Sequence, residues 1–225
     1  MNRKTRPIDP QAPDPVVLGE SVRLLRHGGL LVVPTRHLYG LGVDALNPRA
    51  VARVFAAKQR SPRRPLLILV PSRAALRCYA AGHDVRAEAL MDAFWPGKVT
   101  IVLQAGPAVP SALTGGSGRI GIRVPEHPVC RALVKELGRP ITATSANLSG
   151  RPGVHCVADL DPALAAEVDL ILDAGPLLPG LGSTVVDIRS EGVTVLREGA
   201  VSRDAIGRVL GCEVSSAPAP PGSDR

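Results

Sequence analysis

The chain has 225 residues, of which 45% are hydrophobic and 21% are charged, a composition that excludes a disordered protein. No apolar run approaches the ~20 residues that a transmembrane helix requires, so we expect no membrane association. The formal net charge of +7 favours a phosphate-bearing or nucleic-acid ligand, although the arginine-rich composition of a GC-rich genome explains the charge equally well. No signal-like apolar segment follows the polar N-terminus, and we therefore predict a cytoplasmic location.

Both ends of the chain lack the periodicity of regular structure. Residues 1–14 are polar and proline-rich, and residues 213–225 form a low-complexity tail, so both segments are predicted to be disordered. No repeat or linker interrupts the residues between them, which predicts a single domain over residues 15–212. Four scattered cysteines and five isolated histidines form no pattern of metal ligands, and no metal site is predicted.

Helical and extended patterns alternate along this domain. The apolar spacing predicts helices over 16–28, 48–58, 73–80, 84–94, 128–138, 162–168 and 202–211. Apolar runs predict strands over 30–35, 65–71, 99–105, 119–125, 140–146, 170–174, 183–188 and 193–198. Continuous apolar strands between helices indicate a sheet covered on both faces, and the last two strands, joined by a short turn, indicate a mixed sheet. The predicted fold class is therefore α/β, of the α+β type.

The familiar phosphate-binding loops are missing from the sequence. Residues 116–121 match a dinucleotide-binding glycine motif in letters, but they run into a predicted strand instead of opening a helix. No Walker A sequence is present, so a P-loop does not hold phosphates in this protein.

Polar residues instead gather where predicted strands and helices end, in the four segments 34–42, 58–60, 123–128 and 144–150. Lys58 and Arg60 are two residues apart, so in a non-helical segment both could point the same way and cradle a polyphosphate. The alternative is that these cations simply complement a helix dipole. Ser145 and Asn147 could offer a hydroxyl and an amide to the same phosphates, or could be ordinary turn residues.

Seven motifs connect these segments in one order: PTRHLYGLG, FAAKQR, FWPGKVT, IGIRVPEHP, TSANLSG, GSTVVD and VLREG. Together they resemble the YrdC-like L-threonylcarbamoyladenylate synthase family over about residues 28–199, in its short, single-domain form. The resemblance implies a YrdC/RibB-like fold, a twisted mixed sheet flanked by helices on both faces that encloses a concave basic cavity.

The resemblance also implies an activity. Members of the family are nucleotidyltransferases that use ATP, L-threonine and bicarbonate or CO₂ to form threonylcarbamoyl-AMP and pyrophosphate. The product serves N6-threonylcarbamoyladenosine (t6A) modification of tRNA, and a short member would pass it to a separate threonylcarbamoyl transferase complex. Mg²⁺ would be bound through the ATP phosphates, and the basic charge would suit contact with tRNA or double-stranded RNA.

Site residues follow by matching positions in the motifs. The catalytic quartet of the family, which also binds ATP, falls on Lys58, Arg60, Ser145 and Asn147. Further positions at the ATP site fall on Arg119, Gly153 and Arg197. Positions that contact L-threonine or its carbamate fall on Thr35, Arg123 and Ser183.

Two residues depart from the family pattern at the threonine pocket. Arg36 and His37 stand where an acidic and then a small residue are usual, which leaves the amino-acid specificity open. Two alternative functions follow: a YciO-like paralogue with a changed substrate, and a non-catalytic RNA-binding module. The intact quartet counts against the paralogue, and the 2% aromatic content offers few platforms for base stacking.

Overall fold

The computed structural model describes residues 4–82 and 84–217. The helices are α1 (Pro15–Arg26), α2 (Pro48–Ala57), α3 (Leu76–Tyr79), α4 (Val85–Phe94), α5 (Ser111–Thr114), α6 (Pro128–Leu137), α7 (Pro162–Glu167) and α8 (Arg203–Leu210). The strands are β1 (Thr5–Pro7), β2 (Leu31–Pro34), β3 (Tyr39–Gly42), β4 (Leu67–Leu69), β5 (Val99–Gln104), β6 (Arg119–Arg123), β7 (Ile141–Ser145), β8 (Leu170–Asp173), β9 (Thr184–Arg189), β10 (Gly192–Arg197) and β11 (Ser215–Ser216).

All eleven strands of the described residues belong to one sheet, in the order β1-β8-β2-β3-β7-β4-β6-β5-β9-β10-β11. The sheet is mixed, because β5 runs parallel to β9 but antiparallel to β6, and β7 runs antiparallel to both β3 and β4. The predicted fold class, with a mixed sheet and flanking helices, is confirmed.

Proline and capping side chains define where several helices begin. At α2 the side chain of Asn47 accepts hydrogen bonds from the backbone N–H groups of Arg49 and Ala50, and Pro48 occupies the first turn. At α1 the Asp14 side chain accepts from Val16 N in the same way. These caps satisfy backbone donors that have no partner inside the helix.

Hydrophobic clusters form on both faces of the sheet. Successive residues of β2 show the division: Leu31 and Val33 belong to the cluster that includes side chains of α1 and α6, whereas Val32 belongs to the cluster that includes side chains of α2 and α4. This alternation is the period of two that an extended strand imposes on its side chains. Helices on the two faces therefore cover the apolar strands that the sequence predicts.

The prediction of disorder over residues 1–14 is wrong for residues 4–14. Thr5–Pro7 form β1, which pairs in parallel with β8, and Ile8 is buried against α1 and β8. A strand of three residues is too short to show alternation of apolar and polar residues in the sequence. β1 is ordered because it pairs with the backbone of β8. Residues 1–3 lie outside the described residues.

The predicted disordered tail is also wrong over residues 213–217. Ser215–Ser216 form β11, which pairs with β10, and Val214 is buried in the core. Residues 218–225 lie outside the described residues.

Two other elements differ from the prediction. The predicted helix over 73–80 shortens to the single turn α3, and β3, which the sequence analysis did not predict, pairs with β2 as a hairpin. In the described part of the chain, no helix is long and apolar enough to cross a membrane.

Candidate active site

A cavity of about 570 Å³ opens on one face of the sheet. Alternate residues of β6 and β9, the two strands that flank β5, form its floor: Arg119, Gly121 and Arg123 on β6, and Val185, Asp187 and Arg189 on β9. The intervening residues, such as Ile120 and Ile122, point into the core. Seven of the ten predicted site residues line it: Thr35, Arg60, Arg119, Arg123, Ser145, Ser183 and Arg197.

Arginine dominates the charge of the cavity. Six arginines line it, namely Arg36, Arg60, Arg119, Arg123, Arg189 and Arg197, whereas Asp187 is the single carboxylate among the described lining residues. A wall with this excess of positive charge favours a polyanionic ligand, and its planar guanidinium groups match phosphate and carboxylate oxygens.

Arg123 is the most deeply placed of these arginines. It is only 9% exposed, its Nη1 lies 3.4 Å from the carbonyl oxygen of Gly97, and its Nε is buried without a hydrogen-bond partner. Burial lowers the pKa of Arg123 to about 10, so the guanidinium stays charged at neutral pH. A buried charge with an unsatisfied donor favours an anion beside it.

Arg119 and Arg189 share the carboxylate of Asp187. The Nε of Arg119 lies 2.8 Å from Oδ1, and the Nε of Arg189 lies 2.8 Å from Oδ2. Arg60 and Arg197 show no ion pair in the described residues; Arg197 Nη2 donates to the carbonyl of Ser183 at 2.9 Å. The cavity thus combines two guanidiniums on β6 and β9 that share one carboxylate with guanidiniums that remain free to bind an anion.

Lys58 follows α2 and is buried, with 1% of its surface exposed. Its Nζ donates to the carbonyl of Asn147 at 2.7 Å and also to the carbonyl of Ser145. Burial, together with the positive charge of Arg60, lowers the pKa of Lys58 to about 8. The predicted paired cradle is therefore absent, since Arg60 lines the cavity but Lys58 lies beneath the turn. Gln59, with a φ of 50°, separates the two in a left-handed conformation.

The turn that Lys58 contacts carries Ser145 and Asn147 at the end of β7. The Ser145 hydroxyl lines the cavity and donates to Asn147 Oδ1, while Asn147 Nδ2 donates to the carbonyl of Leu148 at 2.9 Å. Asn147 and Gly153 do not line the cavity themselves. Gly153 packs against the Leu38 side chain, because a Cβ at this position would lie 2.8 Å from Leu38 Cδ1. Both residues therefore shape the turn around Ser145.

Thr35 and Ser183 place hydroxyl groups at the cavity wall. Thr35 Oγ1 donates to the carbonyl of Leu38, which closes the connection between β2 and β3. Ser183 Oγ lies 2.8 Å from Thr100 Oγ1 on β5, within the buried start of β9. Both hydroxyls can accept a further hydrogen bond from a ligand.

Comparison with known protein families shows to which family this chain belongs. Residues 23–199 match the family model Sua5_yciO_yrdC, which is described as "Telomere recombination". The chain belongs to the Sua5/YciO/YrdC family. The resemblance drawn from the seven motifs is thereby confirmed.

Relatives within the Sua5/YciO/YrdC family include the threonylcarbamoyl-AMP synthase of Pyrococcus abyssi, which is 36% identical over 83% of this chain and 55% of its own length. The threonylcarbamoyl-AMP synthase of Bacillus subtilis is 35% identical over 86% of this chain and 56% of its own. The chain thus spans about half the length of these two proteins. A putative threonylcarbamoyl-AMP synthase of Mycobacterium tuberculosis is 36% identical and covers 87% of this chain and 90% of its own.

Two solved structures of the family are similar in fold. The crystal structure of P. abyssi Sua5 complexed with L-threonine has a TM-score of 0.88 and 32% identity, covering 96% of this chain and 63% of that chain. The crystal structure of E. coli YciO has a TM-score of 0.81 and 27% identity, covering 90% of this chain and 98% of that chain. Both the synthase and the paralogue considered from the sequence therefore share this fold.

Sequence reasoning on this Sua5/YciO/YrdC chain missed several residues of the cavity, among them Thr100, Asp187 and Arg189. A signal for Asp187 was present, because it follows Val185 by two residues on the predicted strand 183–188 and therefore shares its face. Arg189 continues this spacing one residue beyond the predicted strand. A charged residue inside an otherwise apolar strand is the pattern that would have identified Asp187.

Proposed function

We propose that this chain is an L-threonylcarbamoyladenylate synthase, which forms threonylcarbamoyl-AMP and pyrophosphate from ATP, L-threonine and bicarbonate or CO₂. One observation carries the proposal: a cavity of about 570 Å³ that is lined by Arg60, Arg123 and Arg197 together with Ser145. The names of the related proteins from P. abyssi and B. subtilis support the same activity.

The reaction joins two anions, which explains the need for such a cavity. The neutral amine of threonine adds to the carbon of CO₂ and releases a proton to solvent, which gives a carbamate anion. A carbamate oxygen then attacks the α-phosphorus of ATP, the bond from that phosphorus to the bridging oxygen breaks, and pyrophosphate leaves with the electron pair. Positioning and charge stabilisation supply the catalysis of such transfers, and no covalent nucleophile is required.

The residues divide by the anion that each would bind. Arg123, whose Nε is buried without a partner, would hold the threonine carboxylate, with Thr35 and Ser183 contacting threonine or its carbamate. Arg60 and Arg197 would neutralise the triphosphate, and Arg119 would contact the nucleotide. Ser145 would orient a phosphate oxygen for in-line attack.

Lys58 and Asn147 would act through the turn that carries Ser145. The Lys58 ammonium binds two carbonyls of this turn, and Asn147 Oδ1 accepts from the Ser145 hydroxyl. Gly153 would keep the turn packed against Leu38. In this arrangement Lys58 and Asn147, which do not line the cavity, fix the position of Ser145, which does.

Mg²⁺ would enter the cavity on the ATP phosphates and would not be held by a carboxylate of the protein. Both oxygens of Asp187, the carboxylate among the described lining residues, are bound by arginines. The metal would neutralise charge on the β- and γ-phosphates, which is the common arrangement in phosphoryl-transfer sites.

The adenylate would pass to a separate threonylcarbamoyl transferase complex in the cytoplasm, for t6A modification of tRNA. Arginines around the cavity, such as Arg189 at 49% side-chain exposure, would suit contact with RNA. The second candidate is a YciO-like paralogue that uses a different substrate. Arg36, which lines the cavity where the family usually has an acidic residue, favours it.

The test is to incubate the protein with ATP, Mg²⁺ and bicarbonate and each amino acid in turn, measuring pyrophosphate and the adenylate by mass spectrometry. Pyrophosphate release that requires threonine and bicarbonate, is lost in Arg60→Ala and is kept in Arg53→Ala is the expected result. Arg53 is the matched control, since it pairs with Asp169 outside the cavity. Release with another amino acid would select the paralogue, and salt-dependent RNA binding without release would select a binding module.

A further inference from the structure

Arg36 forms an ion pair with Glu126 at the edge of the cavity. Its Nε lies 2.9 Å from Glu126 Oε2, although the two residues are 90 positions apart in the sequence. The Arg36 side chain is 23% exposed and lines the cavity. Its Nη1 is buried and has no hydrogen-bond partner in the described residues. The ion pair thus fixes one side of the guanidinium and leaves a donor on another side unsatisfied.

The position of Glu126 is set by the backbone of Gly97. A Cβ at Gly97 would lie 2.3 Å from Glu126 Oε2 and 2.5 Å from Glu126 Cβ, and Gly97 has a φ of +89°. A side chain at Gly97 would therefore displace Glu126, which is the ion-pair partner of Arg36. The Glu126 side chain is 40% exposed, but its Oε2 atom, which faces Arg36, is buried.

Arg123 presents a second unsatisfied donor in the same part of the cavity. Its Nε is buried without a partner, and Arg36 and Glu126 are both close enough to act on its charge. Two guanidiniums that face one cavity repel each other unless an anion lies between them. Buried N–H groups on charged donors cost free energy when unpaired, and carboxylate oxygens are their best acceptors.

We infer that Arg36 and Arg123 together bind the α-carboxylate of the amino-acid substrate, and that Glu126 is a positioning residue that holds Arg36 in place. The inference rests on the proposed function and assigns a specificity role to Arg36. A carboxylate offers a negatively charged oxygen to a donor on each guanidinium, whereas an uncharged carboxamide has one acceptor oxygen and turns an NH₂ donor toward the other guanidinium. Arg36 therefore selects amino acids with a free carboxylate over their amides.

The test compares binding of L-threonine and L-threoninamide by calorimetry, without ATP, in the wild-type chain and in Arg36→Gln. The variant should weaken threonine binding about 10- to 100-fold and change threoninamide binding by less than about twofold, which lowers the discrimination between the two ligands. Arg36→Lys, which keeps the charge, should recover part of the loss. Arg53→Gln, at the ion pair with Asp169 outside the cavity, should change neither affinity.

Equal weakening of both ligands, or no weakening, in an Arg36→Gln protein with a normal melting temperature would overturn the assignment and leave the proposed function standing. If Arg36→Gln does not fold, the same comparison with Arg36→Lys decides, because unchanged discrimination there also overturns it. Wild-type protein that binds threonine with this discrimination but forms no adenylate would support the assignment and overturn the synthase. Wild-type protein that binds no threonine would overturn both.

Discussion

The Nε of Arg119 lies 2.8 Å from Oδ1 of Asp187, and this carboxylate is only 4% exposed. Arg119 Nη2 also donates to the carbonyls of Val102, at 3.2 Å, and Ile188, at 2.6 Å. These bonds fix the plane of the guanidinium and leave its Nη1 as the nitrogen with no bond to the described residues. Asp187 therefore determines how much of Arg119 a ligand in the cavity can reach.

Asp187→Asn should raise the KM for ATP about tenfold with little change in the KM for threonine. A neutral amide accepts weaker hydrogen bonds and offers an N–H to one of the two arginines, so Arg119 loses its fixed orientation. Steady-state kinetics with each substrate varied would measure the effect. Asp44→Asn is the control, because Asp44 is also buried and pairs with Arg139, at 3.3 Å, but does not line the cavity. An equal rise in both variants would contradict the assigned role.

The titration of Lys58 should appear in the pH dependence of stability. Its pKa is lowered to about 8 in the folded protein from an ordinary value of 10.5. Between these values the unfolded chain binds a proton that the native chain does not, so this group makes the free energy of unfolding rise with pH.

The measurement is urea unfolding of wild type and Lys58→Met below pH 8 and near pH 10.5, the limits set by these two values. The variant loses hydrogen bonds at every pH, but the excess stability of wild type over it should grow across this window. Lys135→Met, which removes an exposed lysine of α6, should parallel the wild type. A constant difference between wild type and Lys58→Met would refute the lowered pKa.

Ser145→Ala should lower kcat about 100-fold and leave the melting temperature nearly unchanged. The Ser145 side chain lines the cavity, and in the proposed reaction its hydroxyl would turn from Asn147 Oδ1 to donate to the reacting phosphate. Its loss would therefore remove that donor but little packing. Ser149→Ala tests the specificity of the effect, because Ser149 is an exposed residue of the same turn region. Comparable losses of kcat in the two variants would show that the turn as a whole, and not the Ser145 hydroxyl, determines the rate.

Ile8→Ala should destabilise the protein by about 2 kcal/mol or more in urea unfolding. Ile8 is 5% exposed and packs with Leu18, Val22 and Leu172. Gln11→Ala, at an exposed position three residues later, should have no measurable effect. If the Ile8→Ala variant is as stable as the wild-type protein, the N-terminal strand contributes little to folding in solution.

The fold was predictable where local patterns agree with the global arrangement. The apolar run that includes β2 and the Asn47-Pro48 start of α2 carry signals within a few residues, and both elements form as expected. β1 was not predictable, since its three residues are ordered by hydrogen bonds to β8, more than 160 positions away. Long-range pairing of this kind leaves no local signal.

The site was predictable to a similar degree. Motif positions identified Arg123 and Ser145 as cavity residues, because strand ends bring their side chains to one face. The burial of Lys58 was not predictable, since its acceptors are carbonyl oxygens of a turn 87 and 89 residues later. Every residue has a main-chain carbonyl oxygen whatever its side chain, so no spacing of residue types could have shown that these carbonyls bind Lys58.

The first and last strands of the described residues, β1 and β11, are also the two outer edges of the sheet. Both are short, and each covers a longer neighbour, β8 or β10, whose backbone N–H and C=O groups would otherwise face solvent. Exposed strand edges recruit other chains and promote aggregation. The strands at the two ends of the described chain thus protect the sheet from edge-to-edge association. A truncation that removes them, even one that spares every cavity residue, would yield a protein prone to self-association.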